Sequence, residues 1–316
     1  MNPQEPTAPP RIRPLAGVLA VFQTPYHADE SIDFDTLGEE IDWLFQCGVD
    51  GIVMAMVSEV LRLSGEERDQ VAAFVCGAAR DKGSTVISIG AESSQVAVAL
   101  AQRAEGHGAD ALMAIPPVTV AAGEQELERY YGRILEAVAI PLVIQDASAY
   151  VGKMIPLELQ ARLLEKWGPE RVHFKPEAVP LGPRLSALRD ATAGTARVFE
   201  GSGGVALVDS YRRGITGTMP GADLVQGIVP LWKALVAGDE ERTYLLSLPL
   251  ASLSVLQTSL DAYLAVEKHL LVRQGVFKNT VVRGPVGYTL DDETRAEVDR
   301  LFDRLLAAAQ TVAGGS

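Results

Sequence analysis

Short apolar runs alternate with longer segments of helical pattern along the chain from Gly17 onward. Each run has the length expected of a strand that is buried on both faces. Eight runs are predicted to be strands, over residues 18–22, 51–55, 85–89, 111–115, 142–145, 172–175, 197–200 and 214–218. Eight strand-plus-helix units predict a (β/α)8 barrel of the α/β class, with a doubly wound parallel sheet as the alternative.

Repeated helix-end signals support this division into strand-plus-helix units. The helix before strand two is predicted to end at Gly48 and the helix before strand four at Gly108, each with an aspartate two residues later. Glycine readily adopts the left-handed conformation that ends a helix. The two glycines are sixty residues apart, which corresponds to two repeats of about thirty residues. Ser64 and Glu67 form a capping box that begins another helix.

The two ends of the chain differ from this repeating part. Residues 1–14 contain five prolines and no apolar core, which predicts a loose arm rather than a signal peptide. Residues 15–237 are predicted to form the barrel. Residues 238–316 are predicted to form a C-terminal helical region, with helices over 240–248, 251–274 and 291–313.

Composition and charge exclude several classes of function. A net charge of −13 disfavours binding to nucleic acid or to an anionic membrane surface, and no apolar run reaches the ~18 residues of a membrane span. Four scattered histidines and two cysteines show no metal-binding spacing, so no metal site is expected. Cys47 and Cys76 are interpreted as reduced thiols of a cytoplasmic protein.

The candidate chemistry centres on Lys175, one of only seven lysines in the chain. A lysine on an apolar strand is costly to bury, and burial favours the neutral amine that attacks carbonyl carbons. Glu177 lies two residues further on, so both side chains share a face of the strand. Pro176 should end strand pairing and leave both at the C-terminal mouth of the barrel, where barrel enzymes carry their active sites. We therefore predict a Schiff-base enzyme with its own acid/base, although a lysine beside a glutamate is most often an exposed ion pair.

Other strand ends could complete the site. The turn after strand two could hold a carboxylate through its backbone donors and a serine hydroxyl, or could be a plain loop; its residues are Met56, Val57, Ser58 and Glu59. Gln145 could orient a substrate hydroxyl or a water. Thr218 lies where small residues allow a ligand to approach the backbone. Glu200 is either an arginine partner or a site residue.

With these strand ends in order, the chain resembles the dihydrodipicolinate synthase and N-acetylneuraminate lyase superfamily over about residues 15–310. The run 51–59 aligns with the family's carboxylate-binding Gly-Thr-Thr-Gly-Glu motif, and Lys175 falls on its Schiff-base lysine. The resemblance implies a barrel lyase that acts on a 2-keto acid without a cofactor. It also implies a homo-oligomer, usually a tetramer.

Departures from the family motifs narrow the reaction. Met56 and Val57 replace two threonines, and Gln145 and Val118 replace two tyrosines, so dihydrodipicolinate synthesis is not expected. The pattern of Ser-Glu at 58–59, Gln-Asp-Ala at 145–147 and Phe-Lys-Pro-Glu at 174–177 is similar to the 2-keto-3-deoxy-L-arabinonate dehydratases.

This resemblance implies dehydration of a 2-keto-3-deoxy sugar acid, with Lys175, Glu177 and Gln145 as catalytic residues. A class I pyruvate-type aldolase is the alternative. A barrel that binds keto acids without turnover is a further one.

Overall fold

The computed structural model describes residues 13–149 and 152–311, which form a closed barrel of eight parallel strands. β1 pairs in parallel with both β2 and β8, so the sheet has no free edge. The strands are β1 Gly17–Val21, β2 Gly51–Val53, β3 Ser84–Ser88, β4 Ala111–Ala114, β5 Leu142–Asp146, β6 Val172–Pro176, β7 Arg197–Glu200 and β8 Gly217–Thr218. The predicted (β/α)8 barrel is confirmed, and closure excludes the doubly wound sheet.

Three strands are shorter than predicted, and one of them, β4, differs only by ending at Ala114. β2 ends at Val53, and a 3₁₀ segment follows at Met56–Ser58. β8 comprises only Gly217–Thr218 because residues 213–214 still form the turn that ends the preceding helix, with Gly214 at a φ of +89°.

A helix follows each strand, and three more complete the C-terminal region. Their bounds are α1 Phe34–Gln46, α2 Gly65–Ala79, α3 Ser94–His107, α4 Glu124–Ala137, α5 Leu157–Trp167, α6 Leu181–Ala191, α7 Leu207–Arg212, α8 Val225–Ala237, α9 Glu240–Ser254, α10 Leu260–Arg273 and α11 Asp292–Thr311. α9 packs against α8 and α11, whereas α10 packs against the 3₁₀ segment at the barrel mouth.

The helix predicted over 251–274 is wrong at its beginning. α9 continues to Ser254, and α10 starts only at Leu260. Ser259 caps the start of α10, because its side chain accepts a hydrogen bond from the backbone N–H of Ala262. The apolar pattern runs through both helices, so it did not reveal this break. Residues 1–12 of the predicted arm and residues 312–313 of the last predicted helix lie outside the described residues.

Alternation along β6 decides which side chains enter the barrel. Val172 and Phe174 pack outward against the helices, so His173 and Lys175 face the barrel axis. Burial lowers the pKa of His173 to about 4, and its ring lies 6.2 Å from that of Phe199. His173 therefore fills the barrel interior as a neutral side chain, one layer below Lys175.

The structure also bears on membranes and metals. None of the helices within residues 13–149 and 152–311 combines the length and apolar character needed to cross a bilayer. In the same ranges, His, Cys, Asp and Glu side chains form no group of three or more that could hold a metal ion.

Candidate active site

Lys175, Glu177 and Gln145 meet at the C-terminal mouth of the barrel. The Lys175 Nζ lies 2.6 Å from Glu177 Oε1, and the side chains are only 4% and 6% exposed. Gln145 Nε2 donates to Glu177 Oε2 at 2.7 Å, because β5 and β6 pair with Gln145 opposite Lys175. One carboxylate thus contacts the lysine with one oxygen and the glutamine amide with the other. The structure brings together the three residues predicted to be catalytic.

The backbone around this group leaves space for it. β6 ends at Pro176, and the backbone N–H of Glu177 donates to Asp146 O at 2.9 Å. Gly201 follows the end of β7. A methyl group there would lie 2.6 Å from Glu177 Oε1 and 2.9 Å from the Cε of Lys175. A side chain at position 201 would therefore displace both, a constraint that sequence reasoning missed.

These residues line a pocket whose empty space, including the part open to solvent, is about 440 Å³. Met56 and Val57 form one part of its wall, as the sequence predicted for the turn after β2. α10 forms another part, through Leu260, Tyr263 and Glu267. Sequence reasoning assigned no site residue to this helix. The three positions are spaced by three and four residues and therefore share one helix face.

The Ser58 hydroxyl shapes the turn and does not line the pocket. Ser58 is fully buried, its Oγ donates to Phe22 O at 2.6 Å, and it accepts from Ala55 N at 3.1 Å. The Ser58 carbonyl in turn accepts from the hydroxyl of Thr24 at 2.6 Å. These bonds fix the turn whose residues Met56 and Val57 face the pocket.

Glu59 lies behind the turn and pairs with a second buried lysine, Lys268 of α10. Glu59 has a φ of +59°, which turns its side chain away from the pocket. Lys268 Nζ donates to Glu59 Oε1 at 2.6 Å and to two backbone carbonyls, those of Thr24 at 2.9 Å and Val281 at 2.7 Å. Burial raises the pKa of Glu59 and lowers that of Lys268, and the three bonds offset this cost.

Thr218 and Glu200 bind each other outside the pocket. The Thr218 hydroxyl donates to Glu200 Oε2 at 2.8 Å, and the backbone N–H of Ser202 donates to Glu200 Oε1 at 2.6 Å. Both side chains are fully buried, and burial raises the pKa of Glu200. The partners of Glu200 are thus Thr218 and Ser202, and among the described residues neither alternative that the sequence left open, an arginine partner or a site residue in the pocket, is found. At the end of β8 it is Met219 that lines the pocket.

We expect Lys268→Met to destabilise the fold by about 3–5 kcal/mol, because the buried Glu59 carboxylate loses the cation that hydrogen bonds to it and keeps only Arg62, at 3.8 Å. Denaturant unfolding followed by circular dichroism measures this loss. The double variant Lys268→Met/Glu59→Gln should recover part of the free energy of unfolding, since it removes both charges. A single variant within about 1 kcal/mol of the unmodified protein would contradict the ion pair.

Two comparisons with known proteins agree on the family of this chain. The model of the dihydrodipicolinate synthetase family matches residues 14–305. The L-2-keto-3-deoxyarabonate dehydratase of Azospirillum brasilense is 27% identical over 301 residues, which cover 92% of this chain and 94% of that protein. The 4-hydroxy-tetrahydrodipicolinate synthase of Chloroherpeton thalassium is 29% identical over 157 residues, which cover 49% of this chain and 52% of that protein.

Solved structures share the architecture. The 4-hydroxy-tetrahydrodipicolinate synthase of Methylacidiphilum fumariolicum superposes with a TM-score of 0.86 over 95% of this chain and 99% of that chain. The two sequences are 19% identical, so this likeness shows the fold alone.

Proposed function

The chain belongs to the dihydrodipicolinate synthetase family, a family of lyases, and from this premise we propose that it dehydrates a 2-keto-3-deoxy sugar acid through a lysine Schiff base. The observation that carries the proposal is the buried contact of 2.6 Å between Lys175 Nζ and Glu177 Oε1. The amine can form an iminium with a ketone, and a carboxylate at that distance can then move a proton beside it.

Lys175 begins the proposed reaction by attacking the ketone carbon of the substrate, and loss of water gives an iminium. The iminium withdraws electrons and acidifies C3. Glu177 removes the C3 proton, since one of its oxygens already contacts the lysine nitrogen. The resulting enamine expels the hydroxyl at C4, and hydrolysis of the iminium restores the amine. The iminium is the electron sink, so we propose no cofactor and no metal ion.

The substrate carboxylate is proposed to bind at the turn after β2. Met56 and Val57 begin the 3₁₀ segment, where backbone N–H groups have no acceptor within the helix. Both residues line the same pocket as Lys175. The hydrogen bonds of Ser58 to Phe22 and Ala55 hold this turn in place.

Gln145 favours dehydration over aldol cleavage. Cleavage of the C3–C4 bond requires a base that takes the proton of the C4 hydroxyl, and a neutral amide cannot take it. The Gln145 amide instead orients Glu177, to which it donates at 2.7 Å. The Azospirillum brasilense relative, which matches over nearly the whole chain, is a dehydratase of a 2-keto-3-deoxy acid.

Borohydride trapping with pyruvate, followed by peptide mass spectrometry, tests the first half of this proposal. We expect a stable adduct on Lys175. Incubation with 3-deoxy-2-keto sugar acids then tests the second half, by release of a dehydrated keto acid. Pyruvate plus an aldehyde as products would assign an aldolase instead. The absence of an adduct on folded protein would overturn Schiff-base chemistry altogether.

A further inference from the structure

Buried carboxyl groups outnumber cations behind the pocket wall formed by α10. Glu40, Glu59, Asp223 and Glu267 are each at most 2% exposed, and Lys268 lies fully buried among them. An unpaired ionised carboxylate is too costly to keep in such a setting and instead binds a proton. Lys268 pairs with Glu59 at 2.6 Å, so the other three carboxyl groups lack a comparable cation.

Asp223 and Glu267 are neighbouring buried carboxyl groups whose pKa values are linked. Their interaction lowers the pKa of Asp223 and raises that of Glu267, as expected when one carboxyl group of a close pair is protonated. A methyl group on Gly221 would overlap Glu267 Oε1 and lie 3.0 Å from Asp223 Oδ1. Both oxygens therefore lie close to the backbone at Gly221. Burial raises the pKa of Asp223 to about 7 and that of Glu267 well above its usual range. Glu267 is therefore the partner that holds the proton.

The other groups around the pair agree with this assignment. Gln257 Nε2 donates to Asp223 Oδ2 at 3.2 Å, which stabilises the charged form of that aspartate. Gln23 donates its side-chain amide to Glu267 Oε2 and its backbone N–H to Glu40 Oε1. Glu40 raises the pKa of Glu267 by repulsion.

Lys268 and one further cation, Arg62, affect the cluster. Lys268 lowers the pKa of Glu267, although its hydrogen bonds go to Glu59 and to backbone carbonyls. Arg62 lies on the far side of Glu59, 3.8 Å from Glu59 Oε2.

Glu267 also borders the pocket. It lines the same pocket as Lys175 and Glu177, on the face of α10 that carries Leu260 and Tyr263. Among the described residues, no N–H or hydroxyl group donates to Glu267 Oε1. We propose that Glu267 is the general acid that protonates the departing C4 hydroxyl, a role that rests on the function proposed above.

The step balances in atoms and electrons. The enamine nitrogen lone pair forms the C2–N double bond, the C2–C3 pair becomes the C3–C4 double bond, and the C4–O bond breaks. The departing oxygen takes the Glu267 proton and leaves as water. Hydrolysis of the iminium then frees Lys175. Glu177, which holds the proton from C3, returns one to Glu267 through pocket water.

Glu267→Gln tests this role because it keeps the size of the side chain but cannot give up a proton. Two substrates are compared: a 3-deoxy-2-keto sugar acid that the unmodified protein dehydrates, and its 4-deoxy-4-fluoro analogue. Fluoride leaves as an anion without needing the acid. We expect elimination from the hydroxy substrate to fall about 10²–10⁴-fold and elimination of fluoride to stay within a few-fold of the unmodified protein. Exchange of the pyruvate methyl protons in D2O, which needs only Lys175 and Glu177, should also persist.

Glu40→Gln is the matched control, since Glu40 belongs to the same cluster but does not line the pocket. Because Glu40→Gln also removes a repulsion that raises the pKa of Glu267, the comparison is made at a pH low enough to keep Glu267 protonated, where this variant should keep the unmodified ratio of the two elimination rates. Equal losses with both substrates in Glu267→Gln, or no loss with either, would overturn the role of Glu267. If the unmodified protein dehydrates no such acid, the proposed function falls together with this inference.

Asp223→Asn provides a second test if Glu267→Gln does not fold. The negative charge of Asp223 raises the pKa of Glu267, so its removal lets Glu267 lose its proton at lower pH. Dehydration of the hydroxy substrate should then fall at a lower pH than in the unmodified protein, whereas fluoride elimination should keep its pH profile. An unchanged alkaline limb would contradict the assignment.

Discussion

Lys175→Met is expected to lower kcat/KM for any 2-keto acid substrate by about 10⁵-fold or more, as the loss of a catalytic nucleophile does in other enzymes. Methionine fills much of the same space but cannot form the iminium that acidifies C3. Borohydride trapping with pyruvate should give no adduct in this variant. Steady-state kinetics and mass spectrometry of the trapped protein measure the two losses.

No second lysine of the described residues lines the pocket. Lys268 is the other fully buried lysine of the described residues, but it donates three hydrogen bonds behind the turn and does not line the pocket. Lys233→Met is the matched control, because Lys233 is exposed on α8. An adduct in Lys175→Met, on protein whose circular dichroism matches the unmodified protein, would move the Schiff base to another residue.

The barrel could be predicted because each strand is a separate apolar run with its own helix behind it. The shared face of Lys175 and Glu177 followed from the two-residue period of a strand, and the position of Pro176 placed them at the mouth. Gln145 could be added because β5 and β6 are neighbours in a barrel. These inferences depend only on local spacing and strand order, which a sequence displays directly.

Residues in turns and at the last strand escaped the same reasoning. The direction of Glu59 depends on a positive φ, which the sequence around it does not require. The strand that contains Thr218 is only two residues long. The sequence therefore did not show which of its side chains point into the barrel and which point out. Structure shows Met219, the neighbour of Thr218, in the pocket instead.

The contribution of α10 depends on tertiary packing. An uninterrupted helix over 251–274, as predicted, gives no indication that any of its residues lies at the barrel mouth. The break before Leu260 redirects the chain, so that Tyr263 and Glu267 reach the pocket. The buried pair Glu267-Lys268 within an apolar helix was the one available signal, since charged residues are rarely buried without partners.

Glu177→Gln is expected to separate iminium formation from proton removal. The amide can still contact Lys175 and Gln145, so trapping with pyruvate should persist. It cannot accept the C3 proton, and exchange of the pyruvate methyl protons in D2O should fall by about 10²–10⁴-fold. Proton NMR of pyruvate measures this exchange. Glu170→Gln is the matched control, because Glu170 is an exposed carboxylate that pairs with Arg197 on the protein surface.

Comparison with Glu267→Gln makes this prediction specific. If Glu177 removes the C3 proton and Glu267 protonates the leaving hydroxyl, Glu177→Gln loses exchange as well as dehydration, whereas Glu267→Gln loses dehydration alone. Near-normal exchange in Glu177→Gln would assign the base to another group. Loss of trapping in that variant would instead give Glu177 a role in forming the iminium, where its charge, 2.6 Å from the nitrogen, stabilises the cation.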